Sequence, residues 1–216
     1  MSEEDIDIKK CDNPDAEIQC GFNIAVVGEP CVGKTNLIQR FMNNTFNKDS
    51  NPTYKAEFIG QKYIINNEIF TIALWETPHL GRFQARNHRE IKYAIGTMLL
   101  YDATNINSFD NLERWYSLIK EVGREDIIII LVGTKRDLKD RIVVTTEMSH
   151  NKAKSLGIEV FETSALDSTN VKEAFLTIIK KAYQLRKSEE KRYNEDGELI
   201  IQLNNDVPNK KNKCIK

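Results

Sequence analysis

The chain has 216 residues, 40% hydrophobic and 29% charged, enough to bury one sizeable core. Thirty-one Lys and Arg against thirty-two Asp and Glu leave a net charge of -1, which excludes the broad positive field of a nucleic-acid binder. The longest apolar run, Ile127–Val132, falls far short of the roughly 20 residues of a membrane span, and the acidic start Ser2-Glu3-Glu4-Asp5 is the opposite of a signal peptide. The expected location is therefore cytoplasmic. Cys11, Cys20, Cys31 and Cys214 show no short paired spacing and read as reduced thiols rather than a disulfide framework or zinc site.

Residues 1–20 are polar, acidic and aperiodic, and read as a flexible extension. From Phe22 to about Leu185 short apolar runs alternate with amphipathic stretches, the pattern of an α/β fold with a mostly parallel sheet. The runs predict six strands: Phe22–Val27, Glu57–Ile65, Glu68–Trp75, Gly96–Tyr101, Ile127–Val132 and Ile158–Phe161. Only Asn66-Asn67 separates the second from the third, which predicts a hairpin and one antiparallel edge. Phe109, Leu112, Trp115, Ile119 and Val122 recur at helical spacing, as do Val171, Phe175, Ile178, Ala182 and Leu185. Asn170, three residues before Glu173, reads as a helix-capping pair. Past Arg186 the apolar period stops, so the domain spans 21–186 and 187–216 form a tail.

Chemistry concentrates first in Gly28-Glu29-Pro30-Cys31-Val32-Gly33-Lys34-Thr35, which fits G-x-x-x-x-G-K-[ST] between an apolar strand and an amphipathic helix and makes these residues, with Asn36 next in the chain, the candidate nucleotide contacts. In that setting glycines let backbone N–H groups converge on phosphate oxygens, Lys34 neutralises the outer phosphates and the Thr35 hydroxyl can ligate Mg²⁺. ATP and GTP enzymes share this loop, so it leaves the base open. Two later segments decide it: Gly133-Thr134-Lys135-Arg136-Asp137 and Glu162-Thr163-Ser164-Ala165-Leu166, each following a predicted strand.

These segments resemble the guanine-specificity loops of Ras-superfamily GTPases. The resemblance implies that Asp137 accepts from guanine N1 and N2 while backbone N–H groups of Ser164, Ala165 and Leu166 meet O6, with Thr134 and Lys135 alongside. An ATP enzyme would make Asp137 and Ser164 coincidental. Within the superfamily the match is to Rab GTPases, carried by Phe41, Pro52-Thr53, Phe58, Trp75, Arg82-Phe83, Tyr101-Asp102, Ser108-Phe109, Trp115 and Leu131-Val132-Gly133. It implies a three-layer G domain with helices on both sheet faces, binding GTP or GDP with Mg²⁺. It also makes Thr53 the switch I threonine that joins the ion and the γ-phosphate, and sets Phe46 against the guanine ring. Lys34 and Thr53 are then the catalytic candidates. Phe58 and Trp75 match two members of an effector-binding aromatic triad whose third position is Glu90 here.

The family pattern breaks in Trp75-Glu76-Thr77-Pro78-His79-Leu80-Gly81-Arg82-Phe83. Leu80 replaces the glutamine that orients the attacking water, which predicts slow hydrolysis. His79 replaces the glycine that turns toward the γ-phosphate. Glu76 replaces the aspartate that holds Mg²⁺ through a water, and Pro30 brings a residue without an N–H into the phosphate loop.

In the tail, Ile201 and Leu203 resemble the aliphatic pair by which Rabs dock on escort and dissociation-inhibitor proteins. Cys214, third from the end among Lys210, Lys211, Lys213 and Lys216, is the candidate for lipidation, which would hold the protein on the cytosolic face of an endomembrane. The expected function is a monomeric Rab-like GTPase of vesicle traffic with impaired hydrolysis. Its rival is a pseudo-GTPase binding module whose partner contacts ignore the γ-phosphate.

Overall fold

The computed structural model describes residues 6–13, 17, 20–48, 57–77 and 88–190. In chain order they form β1 (Ile8–Lys10), β2 (Cys20–Gly28), α1 (Lys34–Asn43), β3 (Glu57–Ile65), β4 (Glu68–Glu76), α2 (Arg89–Lys92), β5 (Ala94–Asp102), α3 (Ile106–Asp110), α4 (Leu112–Val122), β6 (Ile128–Thr134), α5 (Thr146–Leu156), β7 (Glu159–Glu162) and α6 (Val171–Glu190). A single 3₁₀ turn, Lys139–Arg141, follows β6.

The strands lie in the order β1-β3-β4-β2-β5-β6-β7. β4, β2, β5, β6 and β7 run parallel, while β3 is antiparallel to both β4 and β1. Every residue of β5 is buried, as a continuous apolar run in the centre of a parallel sheet requires. One face of the sheet presents Ile24, Val26, Ile72, Leu74 and Met98 to Leu37, Phe175 and Ile178 of α1 and α6. The other presents Ala25, Val27, Leu99 and Leu131 to Leu112, Trp115 and Ile119 of α4 and Ala153 of α5. The predicted three-layer architecture is thus realised. The hairpin between β3 and β4 turns on Asn66 and Asn67 with φ of 47° and 67°, the left-handed pair that a tight two-residue turn needs.

Seven strands stand where six were expected. The added one, β1, lies in the stretch read as flexible, and backbone pairing rather than composition recruits it. Ile8 pairs with Ile65 and Lys10 with Tyr63, the Cys11 N–H donates to the Lys62 carbonyl at 2.9 Å, and Asn66 N–H donates to Asp7 O at 3.1 Å. Pairing covers part of the β3 edge and buries Cys11. At the other end α6 continues to Glu190, past the point where its apolar period stops. Its last turn is held by ion pairs from Lys187 to Glu68 and Glu190, and from Arg124 and Arg186 to Glu189. Asn170 stands before α6 but does not adopt the extended conformation of a capping residue: its φ is 53° and its amide donates to the Glu162 carbonyl at 2.9 Å.

Strand order reverses about β2, whose next element in sequence crosses to one side while β5 lies on the other. The crevice at the carboxyl ends of β2, β5 and β6 is where such sheets bind ligands.

Candidate nucleotide site

The phosphate-loop sequence occupies the turn between β2 and α1. Gly28 has φ of 152°, and a Cβ there would sit 2.5 Å from the Leu100 carbonyl, so both conformation and space demand glycine. Gly33 has φ of 97°, and a Cβ there would meet only Lys135 and Thr134 side-chain atoms at ordinary contact distances of 3.8 and 3.9 Å, so its requirement is conformational alone. Cys31 also takes positive φ, 60°, without being glycine.

Lys34 is only 6% exposed, and its Nζ donates to the carbonyls of Gly28 and Glu29, both at 3.0 Å. Burial pushes the ammonium below the ordinary lysine value, while Glu76, Cys31 and Glu29 pull the other way. The loop therefore keeps a desolvated cation at a helix start, an arrangement that favours an anion. Beside it the Thr35 hydroxyl donates to Glu76 Oε1 at 2.8 Å, and Glu76 is 4% exposed. The longer glutamate reaches the threonine directly.

Not every loop residue faces the crevice. Val32 is buried in the core against α1 and α6, so only its backbone serves the site. Glu29 turns its carboxylate away to accept from Trp115 Nε1 on α4 at 2.9 Å. Trp115, read from the sequence as a core residue of a helix and as one of the positions shared with Rabs, thereby fixes the second residue of the phosphate loop. Trp115→Phe keeps an aromatic side chain, smaller than the indole, and loses the N–H that makes this bond. It is expected to speed nucleotide release about tenfold, the lower end of what one hydrogen bond to a charged acceptor contributes, as measured by chasing fluorescent nucleotide with unlabelled nucleotide.

The opposite end of the crevice is built by the segments after β6 and β7. Thr134 Oγ1 contacts the carbonyls of Val32 at 2.6 Å and Tyr101 at 3.0 Å. That hydroxyl is committed to tying β6 to the phosphate loop, so Thr134 braces the site rather than offering its proton to a ligand. Lys135, with φ of 59°, donates its Nζ to Cys31 O at 2.8 Å and to Asp102 Oδ2 at 2.7 Å. The Asp137 carboxylate accepts from Ser164 Oγ at 2.7 Å, which sets its plane. On the third side Phe46 is held by its neighbour: Asn36 Nδ2 donates to Asn47 O at 2.9 Å, and Asn47 N–H donates to Asn36 Oδ1 at 3.1 Å.

Together these elements enclose a cavity of about 520 Å³ lined among others by Pro30, Lys34, Thr35, Phe46, Asp137 and Leu166. Its volume suits a nucleotide-sized ligand. Cys31, Gly33, Asn36, Glu76, Thr134, Lys135 and Ala165 also line it, as do Lys48, Leu138 and Arg141, which carry no motif and were not anticipated. A second cavity, of about 540 Å³ between β1 and α6, contains none of the predicted site residues.

A buried lysine in a strand-loop-helix turn and a serine-held carboxylate, Asp137, lining one cavity make a nucleotide-site arrangement, and residues 23–184 match the Ras family model. The chain belongs to the Ras family. Its relatives include the Ras-related protein RABA1b of Arabidopsis thaliana, 31% identical over 192 residues that cover 86% of this chain and 89% of that protein. The GTP-binding protein ypt3 of Schizosaccharomyces pombe is 33% identical over 176 residues, 82% of each chain. The Ras-related protein YPTC6 of Chlamydomonas reinhardtii is 34% identical over 172 residues, 80% of each. Among Ras-family proteins this one is accordingly Rab-like, a small GTPase by family and fold.

Several expected features of a Ras-family switch lie outside the described residues: Thr53, His79 and Leu80, the tail pair Ile201 and Leu203, and Cys214. Phe58 and Trp75 lie within them and stack with ring centroids 4.8 Å apart, Phe58 being 61% exposed. Trp75 Nε1 donates to Asn23 Oδ1 at 3.3 Å, anchoring one ring while the other faces solvent. No helix among the described residues is long and apolar enough to cross a membrane.

Proposed function

We propose that this Ras-family chain is a guanine-nucleotide switch of membrane traffic that hydrolyses GTP slowly. The observation that carries the guanine reading is Asp137, its carboxylate held by Ser164, lining the same cavity as Lys34. A carboxylate fixed by a serine offers acceptors to guanine N1–H and its 2-amino group. Adenine brings an unprotonated N1 and leaves the carboxylate unsatisfied, which a desolvated site penalises strongly. The likeness to ypt3, a GTP-binding protein, supports the same base.

The residues present fit a hard cation at the phosphate end, since a hydroxyl and a carboxylate meet there with only oxygen donors. Thr35 would ligate Mg²⁺ directly and Glu76 through a water; the ion's chemistry is to neutralise charge on the phosphate oxygens. Lys34 adds a second positive charge, and Thr53 is the switch I residue that would sense the γ-phosphate. The retained Thr35 and Thr53 support the switch over the pseudo-GTPase, whose partner contacts would ignore the γ-phosphate, while Glu76 and His79 speak for that alternative.

Slow hydrolysis follows from Leu80. An aliphatic side chain neither accepts from the attacking water nor donates to the transition state, and His79 at the preceding position resists the turn that glycine makes freely. The Phe58–Trp75 pair is the proposed effector contact. Ile201 and Leu203 are proposed to meet escort or dissociation-inhibitor proteins, with lipidated Cys214 as membrane anchor.

Single-turnover hydrolysis of preloaded GTP tests the reading. The native protein is expected to be nearly inert and the variant Glu76→Asp/His79→Gly/Leu80→Gln at least tenfold faster. Equal rates would refute the role given to this loop.

A further inference from the structure

The residues that would hold the base do not position themselves. Ala165 and Leu166 lie in a loop between β7 and α6 and both line the cavity, with Leu166 half exposed. What restrains them comes from α1. Arg40 Nε donates to the Ala165 carbonyl at 2.6 Å, and its Nη2 donates to the Leu166 carbonyl at 3.1 Å. The remaining arm, Nη1, donates to Asn44 at both the backbone oxygen, 2.9 Å, and Oδ1, 3.0 Å. Four of the five N–H donors of the planar fork are therefore engaged, on two sides, which fixes its orientation.

Peptide geometry turns this clamp into a statement about the ligand. A trans peptide points its C=O and the following N–H in opposite directions, and no cis bond occurs among the described residues. Holding the Ala165 oxygen on the α1 side of the loop directs the Leu166 N–H the other way, toward the cavity. The next peptide is fixed similarly: the Leu166 oxygen is on Arg40, and the Asp167 N–H donates to Ser164 Oγ at 3.3 Å. That serine also carries the Asp137 contact.

The helix that supplies Arg40 begins with Lys34 and Thr35, and Asn36 lies one turn before Arg40 on the same face, bonded beside Phe46. One rigid element thus spaces the phosphate loop, the aromatic segment and the base loop.

We propose that Arg40 is a positioning residue for base recognition. By holding the Ala165 carbonyl it aims the Leu166 N–H at the oxygen on C6 of a bound guanine, and by holding the Leu166 carbonyl it fixes the next peptide, whose Asp167 N–H is on Ser164 Oγ, without touching the nucleotide itself. This deepens the guanine reading and rests on it. The Asp137 edge of the base, served by a different side chain, is independent of Arg40.

The experiment compares affinities of the full chain, stripped of nucleotide, for GDP, 6-thio-GDP, IDP and ADP. Sulfur at C6 is a larger and weaker acceptor than oxygen, while N1–H and the 2-amino group are retained; IDP lacks only the 2-amino group. The native protein is expected to prefer GDP over 6-thio-GDP by about tenfold or more, consistent with one well-aimed hydrogen bond. Arg40→Ala should reduce that preference to about twofold and leave the GDP-over-IDP preference intact, with Arg40→Lys in between. If Arg40→Ala weakens all guanine nucleotides by one common factor, Arg40 is only structural and the proposal falls. If Arg40→Ala does not fold, Arg40→Lys decides, and an unchanged GDP to 6-thio-GDP ratio overturns the proposal. A native protein that binds ADP as well as GDP fails in a different way: it overturns the guanine reading on which this inference stands.

Discussion

Asp137→Asn is expected to lower GTP affinity by about 10²–10⁴-fold and to create binding to xanthosine triphosphate. The loss follows from two hydrogen bonds to a charged acceptor, each contributing about 1.5–3 kcal/mol. Asn retains an oxygen that can still accept from Ser164 Oγ, the contact that fixes Asp137 at 2.7 Å, so the loop geometry survives the change. What changes is the donor pattern: the amide presents an N–H₂ toward the base where the carboxylate presents an acceptor. Guanine's 2-amino group then meets a donor, whereas xanthine's 2-oxygen is satisfied. Competition of xanthosine and guanosine triphosphates for the purified variant reads both effects at once. A variant that still prefers GTP removes Asp137 from the base site.

The sequence was most informative where backbone conformation forces residue choice. Gly28 and Gly33 take left-handed φ, and Asn66-Asn67 make the turn they were expected to make. Buried strands were equally legible, because a run such as Ile127–Val132 has no polar face to offer solvent, and β6 begins within one residue of it. Side-chain direction inside a motif was not legible. Val32 and Glu29 belong to the phosphate loop as surely as Lys34, yet one enters the core and the other bonds Trp115. The motif specifies where N–H groups point, and these side chains are free to serve other contacts.

Elements held by pairing or charge rather than apolar pattern were also hidden. β1 has no hydrophobic period over three residues and exists because β3 offers an edge. The end of α6 is fixed by Lys187, Glu189 and Glu190, whose helical placement shows only once Glu68 and Arg124 are brought near. Arg40 reads locally as a solvated helix residue. Its contacts lie 125 and 126 positions away, a separation no local periodicity encodes.

Lys34→Ala is expected to abolish nucleotide retention without unfolding the nucleotide-free protein. In the free chain the ammonium is buried against the neutral carbonyls of Gly28 and Glu29, which accept hydrogen bonds but supply no full charge. Its deletion removes a desolvation cost that outweighs its attraction to Glu76, Cys31 and Glu29, together with two hydrogen bonds, and these effects largely offset. With phosphates bound the balance is different: the lysine becomes half of a buried ion pair, and losing it leaves anionic oxygens uncompensated, a loss of about 3–5 kcal/mol or 10²–10⁴-fold. The same asymmetry sets a pH signature. Burial lowers the Lys34 pKa below 10.5 in the free protein, and bound phosphate raises it again. Between the lowered value and 10.5 the unfolded chain binds more protons than the free fold, so Lys34 makes the free protein more stable as pH rises through that window. Nucleotide affinity moves oppositely. Above the lowered pKa, binding must take up a proton, and affinity falls by up to about tenfold per pH unit. Titrations of fluorescent GDP across alkaline pH should show this decline in the native protein. Residual binding by Lys34→Ala should lack the Lys34 contribution to that decline. A native affinity that is flat over the window, or an Ala variant that still retains nucleotide, would remove Lys34 from the phosphate site.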